Sequence, residues 1–269
     1  MSKTARKRRE AAPADRGPFV RGVYLVKERV PDADGYPFSL PAVRSLLNEL
    51  ALHPKVTFLI GENGSGKSTL VEAIAVAAGF NPEGGSRNFR FATRSSESTL
   101  HACIRMVRGV HRPRDGFFLR AESYFNVATE VERLDAEPGG SPPILPAFGG
   151  RSLHEQSHGE SFFALLQTRF RGNGFYVLDE PEAALSPSRQ LAFLARLDEL
   201  VRLGSQFVIA THSPILMAYP AARILELSQN GIREVAYEDT EHFRVTRDFL
   251  LRRERMLREL LAGDADGSE

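Results

Sequence analysis

The nonapeptide Gly61-Glu62-Asn63-Gly64-Ser65-Gly66-Lys67-Ser68-Thr69 follows directly on the apolar run Val56-Thr57-Phe58-Leu59-Ile60 and leads into helix formers from Leu70 to Ala78. A buried strand, a glycine-rich turn and a helix in that order are the context a phosphate-binding P-loop requires. The glycines let backbone N–H groups wrap an anion, and the helix points its positive end at it. Lys67 is placed to reach the β- and γ-phosphates of a nucleoside triphosphate, and Ser68 to offer its hydroxyl to Mg²⁺. A second apolar run, Phe175-Tyr176-Val177-Leu178, ends in the adjacent carboxylates Asp179 and Glu180. Beside a P-loop this pair supplies what phosphoryl hydrolysis needs: Asp179 for the Mg²⁺ shell, Glu180 to orient or deprotonate the attacking water. A third apolar run, 206–210, delivers Thr211-His212-Ser213. A histidine at the C-terminal end of a parallel strand faces the ligand crevice, so His212 is expected near the γ-phosphate or the water.

The elements that must position these groups alternate. The sequence predicts strands over 19–26, 56–60, 88–93, 99–108, 117–120, 175–178 and 206–210, and a hairpin of 223–227 with 232–237 across Gln229-Asn230-Gly231. Helices are expected over 41–52, from Lys67 to Ala78, over 123–134, 161–171 and 188–203, and near the C-terminus. Pro113-Arg114-Asp115-Gly116 carries turn chemistry, and 135–150 is a Pro/Gly-rich loop. Alternating strands and helices after a P-loop give an α/β fold with a mainly parallel sheet covered on both faces.

The pieces together resemble the ATPase core of the ABC superfamily, in particular its small stand-alone bacterial members. The matching residues are Walker A at 61–69, Walker B at 175–180, a D-loop-like Ala184-Leu185-Ser186 and a switch histidine at His212. Ser157-His158-Gly159-Glu160-Ser161 stands where such ATPases carry their signature motif, with His158 and Glu160 departing from the usual residues. The resemblance implies a P-loop NTPase core with an added antiparallel β portion and a partly helical inserted lobe over about 80–160. It also implies Mg²⁺-dependent hydrolysis of ATP to ADP and phosphate, and an ATP-dependent homodimer in which Ser157 and Gly159 contact the ATP held by the other subunit. No glutamine occurs between Lys67 and Gln156, so the usual Q-loop ligand is missing; Glu122 is the candidate metal-site substitute, and Arg120 an alternative phosphate contact. Tyr24, Tyr36 and Phe38 are candidates for stacking on adenine. His154-Glu155-Gln156-Ser157-His158 spells a zinc-protease pattern, but Gly149-Gly150 and Gly159 interrupt the helix that pattern needs.

Composition narrows the setting. The chain has 269 residues, 42% of them hydrophobic, a net charge of +1 and a single cysteine. It has no apolar stretch long enough for a membrane span, which argues against direct membrane insertion, and no apolar signal segment, so a cytoplasmic location is expected. Cys103 reads as a small apolar filler on a strand. Lys3, Arg6, Lys7, Arg8 and Arg9 make residues 1–18 a basic, disordered arm able to meet DNA; 19–262 form one ATPase domain, and 263–269 an acidic tail. An arginine-rich helix with an apolar stripe closes the domain. The arm, the atypical Q-loop and the Asn-Gly-Ser-Gly-Lys form of the P-loop favour a dimeric switch in DNA metabolism or defence. The alternatives are the ATPase subunit of a membrane transporter and an ATPase that regulates an unidentified protein partner.

Overall fold

The computed structural model describes residues 17–86, 98–121 and 158–262. The expectations that concern 1–16, the strand at 88–93, the helix at 123–134, the loop at 135–150, Glu122, Ser157, the zinc-like pattern at 154–157 and the acidic tail lie outside those residues.

The apolar runs form the centre of a six-stranded sheet. Strands β3 (Val56–Gly61), β6 (Gly174–Asp179) and β7 (Gln206–Ala210) are buried along their whole length, which is why their sequences run apolar rather than alternate. With β5 (Asp115–Arg120), β8 (Ala222–Ser228) and β9 (Gly231–Val235) they give the order β5-β6-β7-β3-β8-β9. All neighbours are parallel except β8 and β9, the expected hairpin. Side chains alternate between two cores. Phe58, Phe117, Tyr176 and Phe207 pack on one face with α4 (His158–Thr168) and α5 (Pro187–Arg202). Leu59, Phe118, Val177 and Val208 pack on the other with α2 (Lys67–Ala77), whose Leu70, Val71 and Ile74 are buried there.

A separate antiparallel sheet, β2 (Leu50–Ala51), β1 (Val20–Leu25) and β4 (Ile104–Arg108), covers part of that second core. Gln206 joins the two sheets. Its side-chain oxygen accepts from Val20 N–H at 3.0 Å, and its amide donates to Val20 O at 2.7 Å and His53 O at 3.0 Å.

Three sequence expectations are corrected. The helix at 41–52 stops early: α1 (Pro41–Arg44) tightens into a 3-10 turn at Ser45–Leu47, and Asn48 is extended. Pairing of Leu50 and Ala51 with β1 supplies the backbone hydrogen bonds that a longer helix would have made. The strand at 99–108 begins as a helical turn, α3 (Leu100–Cys103), so Cys103 is a buried helix-end residue, its thiol 3.0 Å from Arg29 O. The turn at 113–116 is shorter than expected because Asp115 and Gly116 already pair with β6.

After β9 the chain makes a 3-10 turn at Tyr237–Asp239 and enters α7 (Glu241–Leu261), capped by Thr240, whose hydroxyl accepts from Phe243 N–H. A short α6 (Pro214–Met217), capped by Ser213, follows His212. The apolar stripe of α7 does not enter the core: Leu250, Leu251, Leu260 and Leu261 are exposed. No helix among the described residues is long and apolar enough to cross a membrane.

Candidate functional site

Three parallel strands deliver the candidate residues to one end of the sheet. Because β3, β6 and β7 are adjacent and parallel, their C-terminal ends open into a single crevice. The loop after β3 carries Glu62, Asn63, Gly64 and Ser65, and Gly66 caps α2 in the left-handed region at φ 97°. At Gly61, with φ 142°, a Cβ would lie 2.2 Å from Leu227 O of the neighbouring strand, so the turn out of β3 admits no side chain there.

Lys67 is almost fully buried, and its ammonium donates to Gly61 O and Glu62 O, both at 2.8 Å. Burial lowers its pKa from the ordinary value, opposed by the charges of Glu180, Asp179 and Glu182. Ser65 Oγ is buried with no hydrogen-bond partner among the described residues. A buried cation bonded to two carbonyls, a hydroxyl without a partner among the described residues and the N–H groups opening α2 form a cradle that suits a polyphosphate.

Ser68, one residue into α2, donates to Asp179 Oδ1 at 3.3 Å. A hydroxyl and a carboxylate oxygen meeting at the end of the sheet are the hard donors Mg²⁺ takes, so this pair fits the ion. The opposite oxygen, Asp179 Oδ2, faces Arg120 Nε at 3.6 Å, and Arg120 Nη1 also donates to Glu72 Oε2 at 2.9 Å. Arg120, at the end of β5, therefore bridges the P-loop helix to β6. Among the described residues, no cluster of three or more His, Cys, Asp or Glu side chains forms a ready-made metal centre.

Glu180 turns the chain out of β6. It adopts φ 49°, ψ 52°, a left-handed conformation costly for a residue with a Cβ, and its N–H is held by Ala210 O at 3.0 Å. That strained turn points a carboxylate that is 41% exposed at the crevice, with Oε1 3.7 Å from His212 Nε2. His212 is fixed from two other directions. Its N–H donates to Glu182 Oε1 at 2.5 Å, and its Nδ1 lies 3.1 Å from Nε2 of His242. Burial pushes the Glu182 carboxyl above its usual range, with hydrogen bonds from His212 and Thr211 opposing the shift. Burial lowers the His212 pKa, and the Lys67 charge adds to the fall.

Sequence reasoning placed Lys67, Ser68, Asp179, Glu180 and His212, and the fold brings these together. It missed Glu182 and His242. Glu182 stood in view two residues after Glu180, but its neighbour His212 N–H is distant in sequence. His242 looked like one of several scattered histidines; only the turn at 237–239 returns it to β7. Gly159 lies in the first turn of α4. Of the proposed adenine-stacking residues, Phe38 is buried in the second core and Tyr24 pairs across to Arg105 in the antiparallel sheet. Tyr36 is 69% exposed, with its hydroxyl 2.8 Å from Thr69 Oγ1. It lines a cavity of about 500 Å³ with Ser68, Thr69, Glu72 and Arg120. A second cavity, about 470 Å³, lies on the other side of the P-loop against Asn63, Ser65, Glu226, Arg233 and His242.

Two family models match the chain, one described as an AAA domain over residues 42–118, the other as an AAA domain, putative AbiEii toxin, Type IV TA system, over 149–218. They take in the P-loop and the strand-end carboxylates respectively. A cell division ATP-binding protein FtsE of Mycobacterium tuberculosis is 28% identical over 181 residues, 64% of this chain and 78% of that one. A putative ABC transporter ATP-binding protein of Caldanaerobacter subterraneus is 28% identical over 212 residues, 72% of this chain and 84% of its own length. The chain is an ABC-type P-loop ATPase. A ribose import ATP-binding protein RbsA of Burkholderia pseudomallei is 30% identical to the ATPase over 229 residues; the match takes in 75% of this chain but 41% of the relative. Among solved structures, cbiO1 from Clostridium perfringens aligns over 78% of the ATPase and 90% of its own chain, with 18% identity and a TM-score of 0.42.

Proposed function

We propose that this ATPase hydrolyses ATP to ADP and phosphate with Mg²⁺, and that Lys67, Ser68, Asp179, Glu180 and His212 carry the reaction. The observation that supports it is their convergence at the ends of three adjacent parallel strands, with Ser68 and Asp179 in hydrogen-bond contact and Glu180 next to His212. Lys67 exchanges its two carbonyl partners for phosphate oxygens, and the loop of residues 61–69 wraps the remaining charge. Ser68 and Asp179 would hold Mg²⁺, which would supply neutralisation of the phosphate charge. Glu180 accepts the proton of a water positioned for in-line attack, and His212 donates to the γ-phosphate. The oxygen–phosphorus bond to the water forms as the bond to the β-phosphate oxygen breaks, and ADP leaves with the electron pair.

The Glu180 side chain is 41% exposed in the single chain, which favours a second subunit closing the crevice with Ser157 and Gly159 over the γ-phosphate. The ATPase would then cycle between an ATP-bound dimer and separated subunits, passing that motion to a partner protein. Relatives named for ribose import and for an ABC transporter support a transport partner supplied by another chain. That reading takes precedence over DNA metabolism, which rests on the basic arm, the atypical Q-loop and the Asn-Gly-Ser-Gly-Lys form of the P-loop. The model matched over 149–218, whose description names a toxin–antitoxin system, favours a partner-regulating ATPase as the second reading.

Phosphate release from Mg²⁺-ATP by the purified chain, with Lys67→Ala as control, tests the chemistry. Glu180→Gln protein trapped with ATP and used as bait on solubilised membranes tests the partner. Recovery of a membrane transport protein supports the first reading, and recovery of a small soluble protein alone supports the second. A labelled duplex retained by full-length protein, but not after deletion of residues 1–16, would restore the DNA reading.

A further inference from the structure

His212 and His242 form an imidazole–imidazole contact, Nδ1 to Nε2 at 3.1 Å with the ring centroids 5.3 Å apart. Two neutral imidazoles in such a contact must divide the roles, one nitrogen donating and the other accepting. The far side of His212 decides which. Its Nε2 is buried, has no hydrogen-bond partner among the described residues, and points at Glu180 Oε1 3.7 Å away. A proton on Nδ1 would leave a lone pair on Nε2 facing a carboxylate; a proton on Nε2 turns that contact into attraction. The second arrangement requires His212 Nδ1 to accept, and therefore His242 Nε2 to donate.

We propose that His242 is a positioning residue that fixes His212 as the Nε2–H tautomer, so that its donor is aimed into the crevice before any nucleotide arrives. The purpose of that donor, a hydrogen bond to the γ-phosphate, rests on the function proposed above; the tautomer does not. A ring nitrogen's protonation is set by what the other nitrogen meets, and His242 is what His212 Nδ1 meets. Burial lowers the pKa of both imidazoles, consistent with a neutral pair. His242 is itself held in place. Thr240 caps the first turn of α7 and donates to Tyr237 O at 2.8 Å. Tyr237 in turn donates to Pro214 O at 2.9 Å and packs its ring 4.7 Å from Phe243. The anchor thus lands two residues beyond His212 and ties the start of α7 to the chain that leaves β7. His242 Nδ1, left as a buried lone pair without a partner among the described residues, is the compromise this arrangement accepts.

The test reads the His212 imidazole nitrogen chemical shifts in nucleotide-free protein, for the native chain, His242→Gln and His242→Ala, alongside steady-state ATP turnover. The glutamine amide places an N–H near the position of imidazole Nε2 and has no second tautomer. The native chain and His242→Gln should show His212 protonated on Nε2, and His242→Ala a mixture of both tautomers. Turnover number in His242→Ala should fall about 10- to 100-fold, the usual effect of removing an orienting partner, with KM for ATP unchanged and with recovery in His242→Gln. An Nδ1–H tautomer in the native chain overturns the proposal, and so does a native turnover number in His242→Ala. Should His242→Ala fail to fold, the native spectrum still decides. A native chain that hydrolyses no ATP yet shows the Nε2–H tautomer would refute the proposed function while leaving the His242 assignment standing.

Discussion

Ser68 Oγ lies 3.3 Å from Asp179 Oδ1, although 111 residues separate them. The contact joins the first turn of the P-loop helix to the end of β6 and defines the place where a divalent cation would meet the phosphates. Two strands lie between their origins only in sequence; in the sheet, β7 alone separates β3 from β6.

Lys67→Ala should lower ATP turnover by about 10²–10³-fold, the scale of losing one preorganised donor to developing charge. No other ammonium lies in the loop of residues 61–69. The fold should survive, because the carbonyls of Gly61 and Glu62 that Lys67 now occupies become open to water at the crevice. Titration calorimetry with ATP, together with far-ultraviolet circular dichroism, separates lost binding from lost structure.

Gln206→Leu should destabilise the ATPase by at least about 2 kcal/mol. The side chain is buried, and its removal orphans the N–H and C=O of Val20 together with His53 O, each costing about 1–3 kcal/mol when left dry. Urea unfolding should show a lower midpoint with an unchanged slope. An unchanged midpoint would mean that the two sheets are joined by other contacts.

Acid should weaken the fold below about pH 6.5 through its histidines. Burial lowers the pKa values of His53, His212 and His242 from 6.5, and at His53 the charges of Arg223 and Lys55 add to the fall. Between those folded values and 6.5 the unfolded chain binds more protons, so stability is full above this window and is lost as pH falls through it. At His53 the cause is visible: Nδ1 accepts the N–H groups of Lys55 and Val56, both at 3.3 Å, and protonation ends that role. Glu182 acts the other way. Its raised pKa makes the folded chain bind more protons above 4.5, so its contribution grows as pH drops. Three histidines against one carboxyl predict a lower urea midpoint at about pH 6 than at about pH 7.5; a higher midpoint at the lower pH would mean that Glu182 dominates.

The candidate site at the strand ends was legible in the sequence because its signals are local. A P-loop is contiguous, and Asp179, Glu180 and His212 each end an apolar run whose length marks a buried strand. Long-range pairing hid the rest. Nothing near Leu50 announces that it leaves a helical pattern to pair with Val23, and nothing near His242 announces that the chain returns to His212. Gln206 opens the strand 206–210, and nothing in its neighbours announces that its side chain ties two sheets together. The apolar stripe of the last helix marks a helix but not a buried face: the helix forms, and Leu250 and Leu260 are exposed.

The most direct test of the central claim is a comparison of native and Glu180→Gln protein for both ATP affinity and ATP turnover with Mg²⁺ present. Glu180 is held in a left-handed turn beside His212, while the Lys67 ammonium is bonded to the carbonyls of Gly61 and Glu62 and the Ser68 hydroxyl to Asp179. Glu180→Gln should therefore keep the native affinity for ATP, with turnover slower by about 10²–10⁴-fold, the contribution of a positioned general base. Turnover at the native rate in Glu180→Gln, or a native chain that binds ATP without releasing phosphate, would contradict it.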